Sequence, residues 1–146
     1  MVHFALVALL VGIATPGMAQ IAPSALEIAK YDGLFKAAHD GEVGRIRRLV
    51  ADGADVNARD PWGRSPIHVA AFASQDEALR VLAEAGADMN ALEGQVYDAV
   101  TIAAVADDPE LMSLAITLGN DPSLTTSPYD GTALIAAAHL GHVEVV

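Results

Sequence analysis

The sequence predicts an all-α solenoid of stacked helix–turn–helix units with projecting turns. Two observations carry this. Glycine recurs at one constant interval, as Gly53, Gly86 and Gly119. The pairs Ala37-Ala38, Ala70-Ala71 and Ala103-Ala104 keep the same interval, and Ala137-Ala138 comes one position late, so one residue is inserted before the last copy. A fixed period of about 33 residues marks a chain built from one repeated unit, in which each copy covers its neighbour's apolar face.

The unit is most complete between Asp60 and Leu92. Ser65 suits an N-cap, because its hydroxyl can accept from an orphan N–H of the first turn. Pro66 follows at the first helical position, where its missing N–H costs nothing. Ala70 and Ala71 are small enough to let another helix approach closely. Gly86 ends the second helix, where a left-handed residue is needed. Ser65-Pro66-Ile67-His68 resembles the Thr-Pro-Leu-His start of an ankyrin repeat, and Gly86-Ala87-Asp88-Met89-Asn90 resembles its Gly-Ala-Asp-Val-Asn end. The resemblance runs from about Tyr31 to Val146. It implies an ankyrin-repeat solenoid in which His68 bonds a neighbouring loop through one ring nitrogen.

Taken in order, the chain opens on an apolar run, Phe4–Ile13. That is half of the ~20 residues needed to cross a bilayer. Pro16 and then Gly17-Met18-Ala19 follow, with small residues at the positions a signal peptidase reads. Residues 1–19 are therefore expected to be an export signal cut after Ala19, although only His3 and the amino terminus precede the run. Residues 20–30 form a linker and short capping helix, with Ser24 and Glu27 at the spacing of a capping box.

The first repeat spans about 31–59. Asp32 takes its cap place, Phe35 replaces the histidine, and Val43, Ile46, Leu49 and Val50 make one face of its second helix. The second spans 60–92, with Leu79, Val81 and Leu82 facing inward from its outer helix. The third, 93–125, has Asp98 as cap and Thr101 in the histidine place. Asp108-Pro109-Glu110 starts its second helix, and Leu111, Leu114, Ala115 and Leu118 follow at helical spacing. Pro122 and Ser123 replace valine and asparagine, so its closing loop is expected to differ. The fourth, 126–146, is incomplete. Its closing glycine would fall near 153, so the chain is expected to be a fragment that frays from about Ser127.

Charge and motifs narrow the function. Net charge is −11. All eight basic residues lie between Lys30 and Arg80, and beyond residue 81 there are ten acids and no base. Nucleic acid is not an expected partner, because its binding depends on Lys and Arg neutralising phosphates. A basic protein partner, or simple solubility, fits better. Without cysteine there is no thiolate metal site or thiol nucleophile. His139 and His142 straddle Gly141 at a turn, and the acids form no calcium loop, so neither metal nor cofactor is expected. Ser65 and His68 belong to the repeat's own cap, and no catalytic motif is present. The basic cluster Arg45, Arg47 and Arg48 reads as a solvated outer face.

The expected function is therefore protein–protein recognition without catalysis, in the periplasm or another exported compartment, with no stable membrane insertion after signal cleavage. Solenoids bind on their concave surface and large aromatics serve as anchors. The expected contact residues are Trp62, Arg64, Phe72, Tyr97 and Tyr129, on projecting turns and the inner-helix face. Two other readings remain open: a targeting module of a larger exported enzyme whose catalytic part lies beyond residue 146, and a structural spacer.

Overall fold

The computed structural model describes residues 21–126 and 130–145. The export signal expected over residues 1–19 and Tyr129 lie outside them. A single turn, α1 (Ala25–Ile28), precedes three helix pairs: α2 (Gly33–His39) with α3 (Val43–Ala51), α4 (Pro66–Phe72) with α5 (Asp76–Glu84), and α6 (Ala99–Ala106) with α7 (Pro109–Thr117). Helix α8 (Ala133–Leu140) and a 3-10 turn (Val143–Val145) follow. Among the described residues there is no strand, only an isolated antiparallel bridge between Thr126 and Gly131.

The helices form two rows. The inner row runs α2, α4, α6, α8, each packed on the next; α3, α5 and α7 make the outer row, with the 3-10 turn against α7. Alanine sets the inner spacing. Ala37, Ala38, Ala70, Ala71, Ala103, Ala104 and Ala137 are all buried. A larger side chain at such a contact would push two helices apart, at about 1–3 kcal/mol. The bulky core residues Ile46, Ile67, Leu79, Leu82, Ile102 and Leu111 fill the space between rows. Each contributes about 1.5–3 kcal/mol by leaving water.

Backbone stops recur at the same places. Gly53, Gly86 and Gly119 have φ of 91°, 91° and 105°. In each case the residue after the glycine returns its N–H to a carbonyl near the end of the helix: Ala54 to Leu49, Ala87 to Leu82, Asn120 to Ala115. This closure consumes an otherwise orphaned carbonyl at the helix end. The inner helices also end in a left-handed residue, at Gly41, Ser74, Asp107 and Gly141. Ser74 and Asp107 tolerate that conformation better than bulky residues, because a short polar side chain can bond locally. The Ser74 hydroxyl donates to Asp108 Oδ2 at 3.0 Å.

The helix starts vary more. Ser24 and Glu27 form the reciprocal capping box that their spacing predicts. Asp98 caps α6 by accepting the Thr101 N–H (2.8 Å), and Asp108 caps α7 through the Leu111 N–H (3.0 Å). Asp32 holds the N-cap position of α2 in extended backbone, but its carboxylate makes no capping bond.

The third closing loop corrects one expectation. Asp55, Asp88 and Asp121 each accept, through Oδ1, the N–H two residues on: Asn57, Asn90 and Ser123. Pro122 sits between the two ends of that bond, and the bond makes no use of its missing N–H. The local turn is therefore unchanged. What Ser123 changes is the link to the next loop. Asn57 Oδ1 accepts from Asp88 N–H (2.9 Å) and Asn90 Oδ1 from Asp121 N–H (2.8 Å), each spanning adjacent loops. The shorter Ser123 side chain bonds back to Asp121 instead.

Candidate partner-binding face

The projecting turns of the second and third repeats are built by one acid each. Asp60 Oδ1 accepts the N–H groups of Trp62 and Arg64, both at 2.9 Å, and the Asp60 N–H donates to the Arg64 carbonyl. Glu93 repeats this arrangement one period later. Its Oε1 accepts from Gln95 (2.8 Å) and Tyr97 (3.2 Å), and its N–H donates to the Tyr97 carbonyl. In the fourth turn the Thr126 N–H donates to Gly131, one residue further along, which locates the inserted residue in the turn itself.

This register corrects where two of the expected contact residues lie. Trp62 corresponds to Gln95, Gly63 to Val96, and Arg64 to Tyr97. Trp62 is 42% exposed at its turn, but Tyr97 is only 4% exposed and Arg64 3%. Both point inward, because the second residue after each tip turns towards the stack. Tyr31, one period before Arg64, holds the same place in the first repeat, and its hydroxyl donates to Asp60 Oδ2 (3.2 Å). The period alone could have shown this: Tyr97 lies one full repeat from Arg64, not from Trp62. Phe72 is half-buried at the end of α4.

Arg64 draws Trp62 and Phe72 together. Its guanidinium carbon lies 5.2 Å from the Trp62 ring centroid and 5.9 Å from that of Phe72. Cation–π attraction at this range fixes both rings. Arg64 also faces Glu27 (3.5 Å) and Asp60 (3.6 Å), and its Nη2 donates to the Ile21 carbonyl at 3.4 Å. Ile21 in turn donates its N–H to Gln95 Oε1 at 2.9 Å. The N-terminal segment therefore crosses the turns of the second and third repeats, a contact absent from the local sequence signals. Nearby, burial pushes the Glu93 carboxyl above its usual range, against the bonds from Tyr97 and Gln95.

Behind the turns lies a buried polar seam. His68 Nδ1 must accept, since the Ser65 backbone N–H points at it from 3.0 Å; its proton therefore sits on Nε2, which donates to the Ala91 carbonyl at 2.9 Å. Burial holds the ring neutral, with its pKa lowered to about 4. Thr101, in the equivalent place, is too short for that reach. Its hydroxyl bonds Asp98 Oδ1 (2.7 Å) and meets the buried Thr126 hydroxyl, which comes in from the next turn. Asn120 closes the seam: its Oδ1 accepts from Val100 N–H, and its Nδ2 donates to Asp98 Oδ2 and Asn90 Oδ1.

Two shallow surface depressions lie on the outer row, one around Glu42 to Arg48 and one between α5 and α7. Arg47 is solvated there, 3.6 Å from Glu84. Among the described residues no three His, Asp or Glu side chains converge as metal ligands. His39 pairs with Asp40, and His142 donates to the Ala104 carbonyl.

Two rows of short helices, left-handed helix stops and projecting turns joined by side-chain ladders define a repeat solenoid. A family model for ankyrin repeats (three copies) matches residues 4–93, and the chain belongs to the ankyrin-repeat family. Over 52 residues it is 46% identical to the NF-kappa-B inhibitor cactus of Drosophila yakuba and equally to that of Drosophila melanogaster. That stretch is 33% of this chain but only 11% and 10% of those proteins. Ankyrin repeats are protein–protein interaction modules.

Proposed function

We propose that this chain is a non-catalytic recognition module that binds another protein through its concave face and the tip of its second projecting turn. The observation that carries the reading is Trp62. It is the sole tryptophan, large and exposed, yet held in place by Asp60 and Arg64. A pre-ordered aromatic costs little entropy to dock. Phe72 extends the same apolar surface, while the buried Arg64 and Tyr97 support it from behind. Tyr129 belongs to the proposal as the aromatic of the fourth turn.

The site of action proposed is an exported compartment, supported by the apolar run Phe4–Ile13 and the Gly17-Met18-Ala19 that follows. The proposed partner carries basic groups, because the ten acids beyond residue 81 have no basic residue among them. Capture from an extract with three chains tests the binding reading: the wild type, Trp62→Ala and Arg47→Ala. The expected result is a protein retained by the wild type and Arg47→Ala, and lost with Trp62→Ala. Stronger loss with Arg47→Ala would move the site to the outer row and overturn the reading.

A further inference from the structure

The turns beside Trp62 already hold a piece of the same chain. Ile21 bonds through its backbone to Gln95 and to Arg64, and Glu27 faces the Arg64 guanidinium. The side chains of Ile21 and Leu26 are themselves exposed. The segment is thus held by its backbone and one carboxylate, with little apolar anchoring. That is how a short peptide, extended at Ile21 and turned into one helical turn at Ala25–Ile28, would be read.

Arg64 is poorly served by this occupant. Its charged and neutral partners all stand 3.4–3.6 Å away. Its Nε is buried with no partner among the described residues. Neither Glu27 nor Asp60 makes the two-pronged bond that a guanidinium favours; each meets it through a single oxygen. Glu27 Oε2 is committed to the Ser24 N–H, and Asp60 Oδ1 to the N–H groups of its own turn.

We infer that residues 21–28 are an intramolecular occupant of the concave face, and that the partner segment which displaces them presents a carboxylate to Arg64. This rests on the binding reading above. It adds the local chemistry of the partner and a built-in competitor. The demand is local, one carboxylate against Arg64; of the acids beyond residue 81, Glu93 feels that charge but is bonded within its own turn, and the acids after it come later in the stack. A displacing carboxylate, free of a capping duty, can approach both edges of the guanidinium. Glu27, held by its capping box, faces the guanidinium through Oε1 alone.

The test needs no natural partner. Whole chains carrying Glu27→Lys or Glu27→Gln are compared with the wild type. The probe is a synthetic peptide of residues 20–31, and the readout is Trp62 fluorescence. Charge reversal beside Arg64 should eject the segment, so the peptide should bind the Glu27→Lys chain at least tenfold more tightly than the wild type. The same peptide with glutamine at position 27 should bind about tenfold more weakly. The milder Glu27→Gln chain should show increased acrylamide quenching of Trp62. Equal peptide binding to all chains, or no binding and unchanged quenching in folded variants, would overturn the inference. Concentration-dependent dimerisation of the Glu27→Lys chain would assign the face to a second copy and overturn the acidic-segment assignment. A failed capture experiment with Trp62→Ala would leave the peptide result intact, so the two readings fail separately.

Discussion

Nε2 of His68 lies 2.9 Å from the carbonyl oxygen of Ala91, 23 residues further along the chain. That bond ties the start of an inner helix to the end of its own repeat. Removing the ring leaves the Ser65 N–H and the Ala91 carbonyl without it, both in buried surroundings. His68→Ala should therefore lower stability by about 1–3 kcal/mol. A denaturant midpoint matching the wild type would show that the ring is not a strut.

The same ring sets a pH dependence. Its folded pKa is lowered to about 4 by burial, below the ordinary value of 6.5. The unfolded chain therefore takes up the proton first as pH falls. Stability from this group is fully present above pH 6.5 and is lost between about 6.5 and 4. Below that both states are protonated. The loss should be on the order of 3 kcal/mol. Denaturant melts across this window should show a slope in the wild type that is absent in His68→Ala. Parallel slopes would assign the dependence to other groups.

Two neighbouring positions should respond with opposite signs. Val96 holds φ of 67°, the left-handed conformation of its counterpart Gly63. Its side chain is exposed and gains little from packing. Val96→Gly should stabilise by about 0.5–1 kcal/mol, because a β-branched residue is strained there. At Gly94, by contrast, an added Cβ would lie 2.4 Å from the Trp62 carbonyl oxygen. Gly94→Ala should cost about 1–3 kcal/mol by forcing the two turns apart. Thermal melts of the pair decide it.

The Asn ladder can be tested in the same manner. Asn57→Ala removes two exposed bonds to the next loop, from the Asp88 N–H and to the Gly86 carbonyl, whereas Asn120→Ala leaves the buried Val100 N–H, Asp98 and Asn90 without a shared partner. Asn57→Ala should cost about 1 kcal/mol and Asn120→Ala about 2–3 kcal/mol. Equal effects would mean that the buried seam is not cooperative.

The parts legible in the sequence were those imposed on the backbone by a local need. Gly53, Gly86 and Gly119 announce helix ends because a left-handed residue is required there, and the alanine pairs announce helix contacts because nothing larger fits. Asp98 and Asp108 were readable as caps for the same local reason. The inward turn of Tyr97 was masked by its chemistry: an aromatic in a turn suggests a surface anchor, and only its register with Arg64 corrects this. The Thr101–Thr126 contact and the crossing of Ile21 to Gln95 join residues 25 and 74 apart. No periodic pattern encodes such pairs, since they depend on how neighbouring repeats come to lie.

The face itself is tested most directly by hydroxyl-radical footprinting of the chain alone and bound to the protein recovered by capture. Trp62 and Phe72 should lose most of their labelling in the complex. Ile116, exposed on the outer helix α7, should keep its own. Protection of Ile116 with Trp62 labelled as before would contradict recognition through the concave face.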